Sequence, residues 1–293
     1  MTAGNAAKTA PVALPTWLDV AEIVSELQQA LRHDPFALSV LDGSLIVARD
    51  KANPIRGNLC AAGLRELTSY LLHSRAPDAD VTDCSWYKPH PKTNGPTRAQ
   101  RLSFWIRGGL SDAFVKKNLN VDLKSLAQTV SASFEALNKA THLRENTIVS
   151  DESDVLVFLE KALSALLSFH HAADSSRDEI ADALSIDIQE CVTDEFLRDV
   201  IGELDELSTH HWIEESYVEE IQIATLSADL IVYEVRGTLS VTQQWGSNSD
   251  VRNDIGAVDE DSFPFTMELE APASDPEKIL SRSYSVDTSK FFK

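Results

Sequence analysis

The chain has 293 residues, 43% hydrophobic and 25% charged, the balance of a folded, water-soluble protein with room for more than one core. Its net charge of −20 is unevenly divided: residues 1–145 hold 17 Lys and Arg against 14 Asp and Glu, and residues 146–293 hold 9 against 32. Three cysteines without C-x-x-C spacing exclude a zinc ribbon, a redox pair and a disulfide framework, and fit a reducing cytoplasm.

Residues 1–15 (MTAGNAAKTAPVALP) lack a continuous apolar stretch and read as a flexible leader rather than a signal peptide. A basic helical domain is expected over 16–145. Thr16 caps a helix with Trp17, Val20, Ile23, Val24, Leu27 and Leu31 on one stripe, and a second apolar stretch follows Pro35. Asn53-Pro54 opens a strong helix carrying Leu59, Leu64, Leu67 and Leu71, which Pro77 and the acidic run Asp78–Asp80 are expected to end. Pro89, Pro91, Asn94, Gly95 and Pro96 exclude regular structure between Trp86 and Thr97. Thr97 then caps TRAQRLSFWIR, stopped by Gly108-Gly109, and a further helix runs from Asp122 to about His142.

Residues 146–208 read as an acidic connector of three helices, with Ser176-Arg-Asp-Glu179 as a capping box and Thr193 as a second cap. Their outer faces carry acids including Asp182, Asp194, Asp199 and Glu203, the pattern of a solvated surface. The most apolar run, Val155–Phe169, is interrupted by Glu160 and Lys161 and falls short of the ~18–20 uninterrupted residues of a membrane span. After Thr209 the period changes from about 3.6 to 2, which predicts a small antiparallel β domain over 209–271. Its strands are Tyr217–Ile223, Leu230–Val235, Thr238–Gln243 and Phe263–Leu269, with Gly237 as a bulge or turn. Trp245–Asp261 reads as a polar loop and residues 272–293 as a tail. The fold class is therefore α+β, with a mostly helical N-terminal two-thirds ahead of the sheet.

No P-loop, H-E-x-x-H or G-x-S-x-G pattern occurs, no set of inward carboxylates can be nominated for metal catalysis, and a divalent metal stays open. The pairs His170-His171 and His210-His211 are adjacent and cannot face one ion from one helix. A metal-independent phosphodiester site needs a histidine acid or base and a cation for the phosphorane oxygens. The stretch Arg49–Lys117, with 12 basic against 6 acidic residues, supplies such groups. The catalytic candidates are Arg65, Glu66 and His73 on the helix after Asn53, and His142 at the end of a later one. Arg98, Arg101, Arg107, Lys88 and Lys92 are candidates for phosphate contact. Trp86, Tyr87, Phe104 and Trp105 lie among these cations, as on base-stacking surfaces, with core packing the competing role.

The blocks Leu64–Pro89, Thr97–Val115, Leu137–His142 and Gly237–Phe265 resemble the predicted PIWI-associating nucleases, and the resemblance covers most of residues 34–271. It implies a bacterial conflict-system protein encoded beside a PIWI-like or other defence component, and an action on nucleic acid. The helical half is also similar to HEPN ribonucleases, with their Arg-x4–6-His motif. Here seven residues separate Arg65 from His73, a departure from that motif. Two readings follow: a cytoplasmic defence effector that cleaves nucleic acid with a partner protein, and a non-catalytic accessory subunit that docks or senses a ligand. Neither involves a membrane, and homo-oligomerisation stays open.

Overall fold

A computed structural model describes residues 14–198 and 201–292. Most of the expected leader and Asp199 lie outside the described residues. The chain forms two compact units: one takes the residues up to Ser74 with Lys124–His171, the other Arg75–Leu123 with Ala172 onward. The units cut across the expected segments, because the acidic connector is divided between them.

The first unit is helical. It holds α1 (Trp17–Ala30), α2 (Pro35–Arg49) and all but the last residue of α3 (Arg56–Arg75). Thr16 caps α1 reciprocally with Asp19, and Asp34 caps α2 at Ala37 N (3.0 Å), each satisfying N–H groups that the first helical turn leaves unpaired. Leu64, Leu67 and Leu71 recur at helical spacing on α3 and are buried, and Gly63 lets α2 approach closely, since a Cβ there would meet Ser44 Oγ at 2.0 Å.

The second unit opens with α4 (Asp78–Asp83), α5 (Arg98–Arg107) and α6 (Asp112–Asn118). The acidic run 78–80 therefore starts a short helix instead of only ending α3: acids favour the positive end of a helix dipole. α5 has the expected cap, Thr97 with Gln100 in a reciprocal box, and ends at Gly108 with φ 52°.

α7 (Leu123–Thr141) and the first part of α8 (Glu152–Ala183) return the chain to the first unit. α8 is one helix of 32 residues, so the break expected at Ser176 is absent. Ser176 is 1% exposed and its Oγ donates to Ala172 O (2.8 Å), which satisfies the hydroxyl inside a continuous helix. By length and composition α8 is apolar enough to cross a membrane, yet half of its most apolar window is buried inside the fold, as in a core helix.

α9 (Ser185–Arg198) likewise runs through Thr193, whose hydroxyl donates to Gln189 O instead of capping a helix. Beyond α10 (Gly202–Asp205) stand β1 (His210–Leu226) and β2 (Leu230–Trp245), then α11 (Asn248–Arg252), β3 (Ala257–Pro272) and β4 (Leu280–Val286). The four strands form an antiparallel sheet in the order β1-β2-β3-β4. Three differences from the sequence expectation appear here. The two short strands around Gly237 are one strand, and Gly237 faces a bulge on β1 between Val218 and Glu220. The polar loop contains α11, capped by Ser247 and Asp250, and its last residues belong to β3. The expected tail supplies β4, because Tyr284 and Val286 alternate inward against β3. Ile188, Val192 and Phe196 of α9 share a core with Val235, Leu239, Val241 and Phe265, and Phe196 meets Phe265 and Tyr284 edge-on.

Candidate functional site

In the first unit α3 and the segment 140–149 are tied by a buried asparagine. Asn58, 2% exposed, donates through Nδ2 to Ala140 O (2.7 Å) and Thr147 O (2.8 Å) and accepts Val149 N–H at Oδ1 (3.0 Å). Both amide protons are used, so the segment carrying His142 is fixed by three bonds to one side chain. Beside it, Gly57 N donates to Val149 O (3.1 Å), and a Cβ on Gly57 would lie 2.6 Å from that oxygen. Sequence reasoning passed over Asn58; its signal is a lone amide on an otherwise apolar helix turn, which needs polar partners when buried.

Two turns further along α3, Arg65 donates through Nε and Nη2 to Glu66 and through Nη1 to Thr141 Oγ1 (3.2 Å). Thr141 directly precedes His142, whose side chain is exposed and whose carbonyl accepts Thr147 Oγ1. An arginine on one helix thus lies beside the residue before a solvent-facing imidazole on the next segment. The named bonds use three of the five guanidinium N–H groups, and the Arg65 side chain is one-third exposed, so the cation can also meet an anion from solvent. His73 is not brought to this place: eight residues along α3 correspond to about 12 Å of rise, too far to share one phosphate with Arg65. Its Nδ1 donates to Ser69 O (2.7 Å), which leaves Nε2 as the acceptor in the neutral ring.

The phosphate-contact candidates all fall in the second unit, and they divide by burial. Lys88, Lys92 and Arg98 are exposed around the 86–98 loop, held by Gln100, which both completes the α5 cap and donates to Lys88 O (2.7 Å). Between the two lysines, in K-P-H-P-K, stands the exposed His90, a candidate that sequence reasoning also passed over. Lys92 N donates to its Nδ1 (3.3 Å), so the neutral ring carries its proton outward on Nε2.

Arg101 and Arg107 are each 5% exposed. Arg101 bonds to Ala76 O and Asp78; Arg107 pairs with Asp112 and lies 4.4 Å over the ring of Trp86, whose indole N–H donates to Gly108 O (2.9 Å). These three side chains form an internal clasp. Gly109 N donates to Ser227 O (2.8 Å) in the β1–β2 turn, and a Cβ on Gly109 would sit 1.8 Å from Ala228 O. The stretch expected as a stacking surface therefore lies against the hairpin: six of the ten α5 residues are buried, and a buried cation must be paired inside. Phe104 and Trp105 are buried too.

Burial raises the thiols of Cys60 and Cys84 to about 12, which removes both as thiolate nucleophiles near neutrality. Among the described residues, no three His, Cys, Asp or Glu side chains gather as a metal-binding group.

No curated protein and no solved structure matches the chain. Two family profiles do, at residues 28–166 and 173–292, and both carry the description predicted pPIWI-associating nuclease. Between them they take in α2 through β4, and the chain belongs to the predicted pPIWI-associating nuclease family.

Proposed function

We propose that the protein is a nucleic-acid-cleaving effector of bacterial defence that works in the cytoplasm with a PIWI-type partner. The observation that carries this reading is the Arg65–Thr141 bond, which brings a part-exposed guanidinium to the neighbour of the exposed His142. In this reading His142 moves the proton of the attacking or leaving oxygen, Arg65 takes the charge that develops on phosphate, and Glu66 orients Arg65. Lys88, Lys92 and Arg98 hold the polyanion backbone, and the acidic second half keeps it off other surfaces. Arg101, Arg107 and Trp86 shape the fold around them.

The test incubates the purified chain, alone and with its pPIWI partner, with labelled RNA, single-stranded DNA and duplex DNA under Mg²⁺, Mn²⁺ or EDTA. Cleavage that persists in EDTA and falls at least about 100-fold in His142→Ala supports this centre. Loss in His90→Ala instead moves the acid or base to the 86–98 loop, and cleavage only with metal replaces the mechanism with a carboxylate one. The accessory reading is favoured by one observation, the burial of Arg101 and Arg107 in internal pairs. Absence of cleavage in every arm, with the partner present, would establish it.

A further inference from the structure

Two features of the second unit meet at the free edge of β1. Among the described residues this 17-residue strand pairs only with β2, so its other edge presents backbone groups that no strand of the sheet takes up. At one point the edge is already engaged. Gln189 of α9 accepts Val218 N–H at Oε1 (3.0 Å) and donates through Nε2 to Ser216 O (2.9 Å). Bonds to the carbonyl of residue 216 and the N–H of residue 218 are those that one residue of a parallel neighbouring strand would make. A side-chain amide thus stands in for a peptide group, and Thr193 braces it: Gln189 Nε2 reaches Thr193 Oγ1 at 3.1 Å, and that hydroxyl lies 2.9 Å from Ser216 Oγ.

Next to this amide a groove of about 380 Å³ runs between β1 and the end of α8 with the start of α9. Val218 and Ile221 line it on the strand side, Ile186 and Asp182 on the helix side, and Glu219 at the bulge. Ile186 is 73% exposed, a large apolar side chain at the mouth of the groove. Glu220 is engaged by Arg236 (3.2 Å), which leaves Asp182 and Glu219 as the carboxylates not paired with a cation there among the described residues.

We propose that this groove takes an extended, Lys- or Arg-bearing segment of a partner protein, added to the free edge of β1 as a fifth strand. Backbone bonds would supply affinity, and alternate side chains would sort between the Ile186–Ile221 wall and the carboxylates. Charge selects the occupant. Nucleic acid is repelled by the acids, and a second copy of β1 would set Glu214, Glu215, Glu219 and Glu220 against their own kind. The proposal does not depend on the chain being a nuclease.

The full-length chain is titrated, by fluorescence anisotropy, with a fluorescein-labelled Lys-Val alternating peptide of about ten residues. Two comparison peptides are a Glu-Val version and a Lys-bearing version in which prolines replace the valines and remove backbone donors. Saturable binding of the Lys-Val peptide is expected, at least about tenfold weaker for both comparison peptides and for Ile186→Asn, with exchange of the amides at 218–223 slowed by the peptide. Ile186 is exposed, so the variant keeps its fold, checked by circular dichroism. Equal binding of the proline version would reduce the effect to general electrostatics and overturn the proposal. So would no binding, or binding that Ile186→Asn leaves unchanged. Sedimentation of the chain alone closes the last alternative: a dimer that the Lys-Val peptide dissociates would make a second copy the occupant and overturn it too.

Discussion

Arg65 of the first unit and Arg101 and Arg107 of the second are used in opposite ways, although each unit also holds an arginine of the other kind, the buried Arg56 and the exposed Arg98. Arg65 in the first keeps 33% of its side chain in solvent and shares a bond with the residue before an exposed histidine; Arg101 and Arg107 in the second keep 6% each. The difference follows from where each stands on its helix. α3 buries Leu64, Leu67 and Leu71 and leaves Leu59, Glu66 and His73 exposed on another face, with Arg65 on the border. α5 buries six of its ten residues, Arg101 and Arg107 among them, while Arg98 in its first turn stays exposed. Cations close together in sequence therefore do not define a phosphate surface; the position of each on its helix, and the partner that meets it there, decide whether it faces solvent.

The largest test of this contrast is Gly109→Ala. The added Cβ would meet the backbone oxygen of Ala228 at 1.8 Å, a contact that no side-chain rotation relieves. We expect a loss of about 4 kcal/mol or more in urea unfolding, or no folded protein. A loss below about 1 kcal/mol would mean that the clasp between Gly108-Gly109 and the hairpin turn is not a fixed contact.

In the first unit the matching point is Asn58. Asn58→Ala leaves two carbonyls and one N–H without their partner, and each buried unsatisfied group costs about 1–3 kcal/mol, offset here by water entering at the part-buried ones. A net loss of about 3 kcal/mol is expected, with faster amide exchange at Val149. Exchange unchanged at that residue would show that the segment bearing His142 is held by something else.

A smaller effect sharpens the comparison directly. Arg107→Ala removes the Trp86 contact and the pair with Asp112, but Asp112 is 85% exposed and is not stranded, so about 2 kcal/mol is expected from lost packing and hydrogen bonding. Arg65→Ala should change stability by no more than about 0.5 kcal/mol, its partner Glu66 being well exposed, while abolishing cleavage. If the two variants exchanged these outcomes, the assignment of site and scaffold would be inverted.

Much of this was legible in the sequence because it is local. The caps at Thr16 and Thr97, the stop at Gly108-Gly109 and the switch to strand periodicity after Thr209 are short-range signals, and each stands where expected. The errors came where local signals lost to tertiary packing. Ser176 has the pattern of a capping box, yet it lies on the buried side of α8, where a hydroxyl bonded to Ala172 O costs less than ending the helix. The strand Leu280–Val286 alternates only weakly by itself and is made by pairing with β3. For the candidate site, the residue types were readable, but the bond from Arg65 to Thr141 spans 76 positions, and one sequence carries no trace of it. The burial of Arg101 and Arg107 was not legible: Gln100, Ser103 and Arg107 recur at the spacing of a solvated helix face, and the partners Asp78, Asp112 and Trp86 come from outside α5.

The smallest effect concerns pH, again in the first unit. Glu152 accepts Lys51 Nζ (2.6 Å) and Trp17 Nε1 (2.8 Å), and these bonds, the lysine first, hold its carboxyl below the ordinary value of 4.5. A carboxylate lowered on folding contributes stability that is complete above its unfolded value and is lost as pH falls through the folded one. The melting temperature should therefore fall below pH 4.5, with loss of the Trp17 contact visible in fluorescence, and Glu152→Gln should flatten that acid limb while lowering stability slightly near neutrality. Because the carboxyl is open to solvent, added salt should shrink the difference between the two proteins. An acid limb of equal slope in both would assign the pH dependence to other carboxylates: Asp19, Asp151 and Asp250 are lowered in the same direction by their Thr and Ser partners, and these would be substituted next.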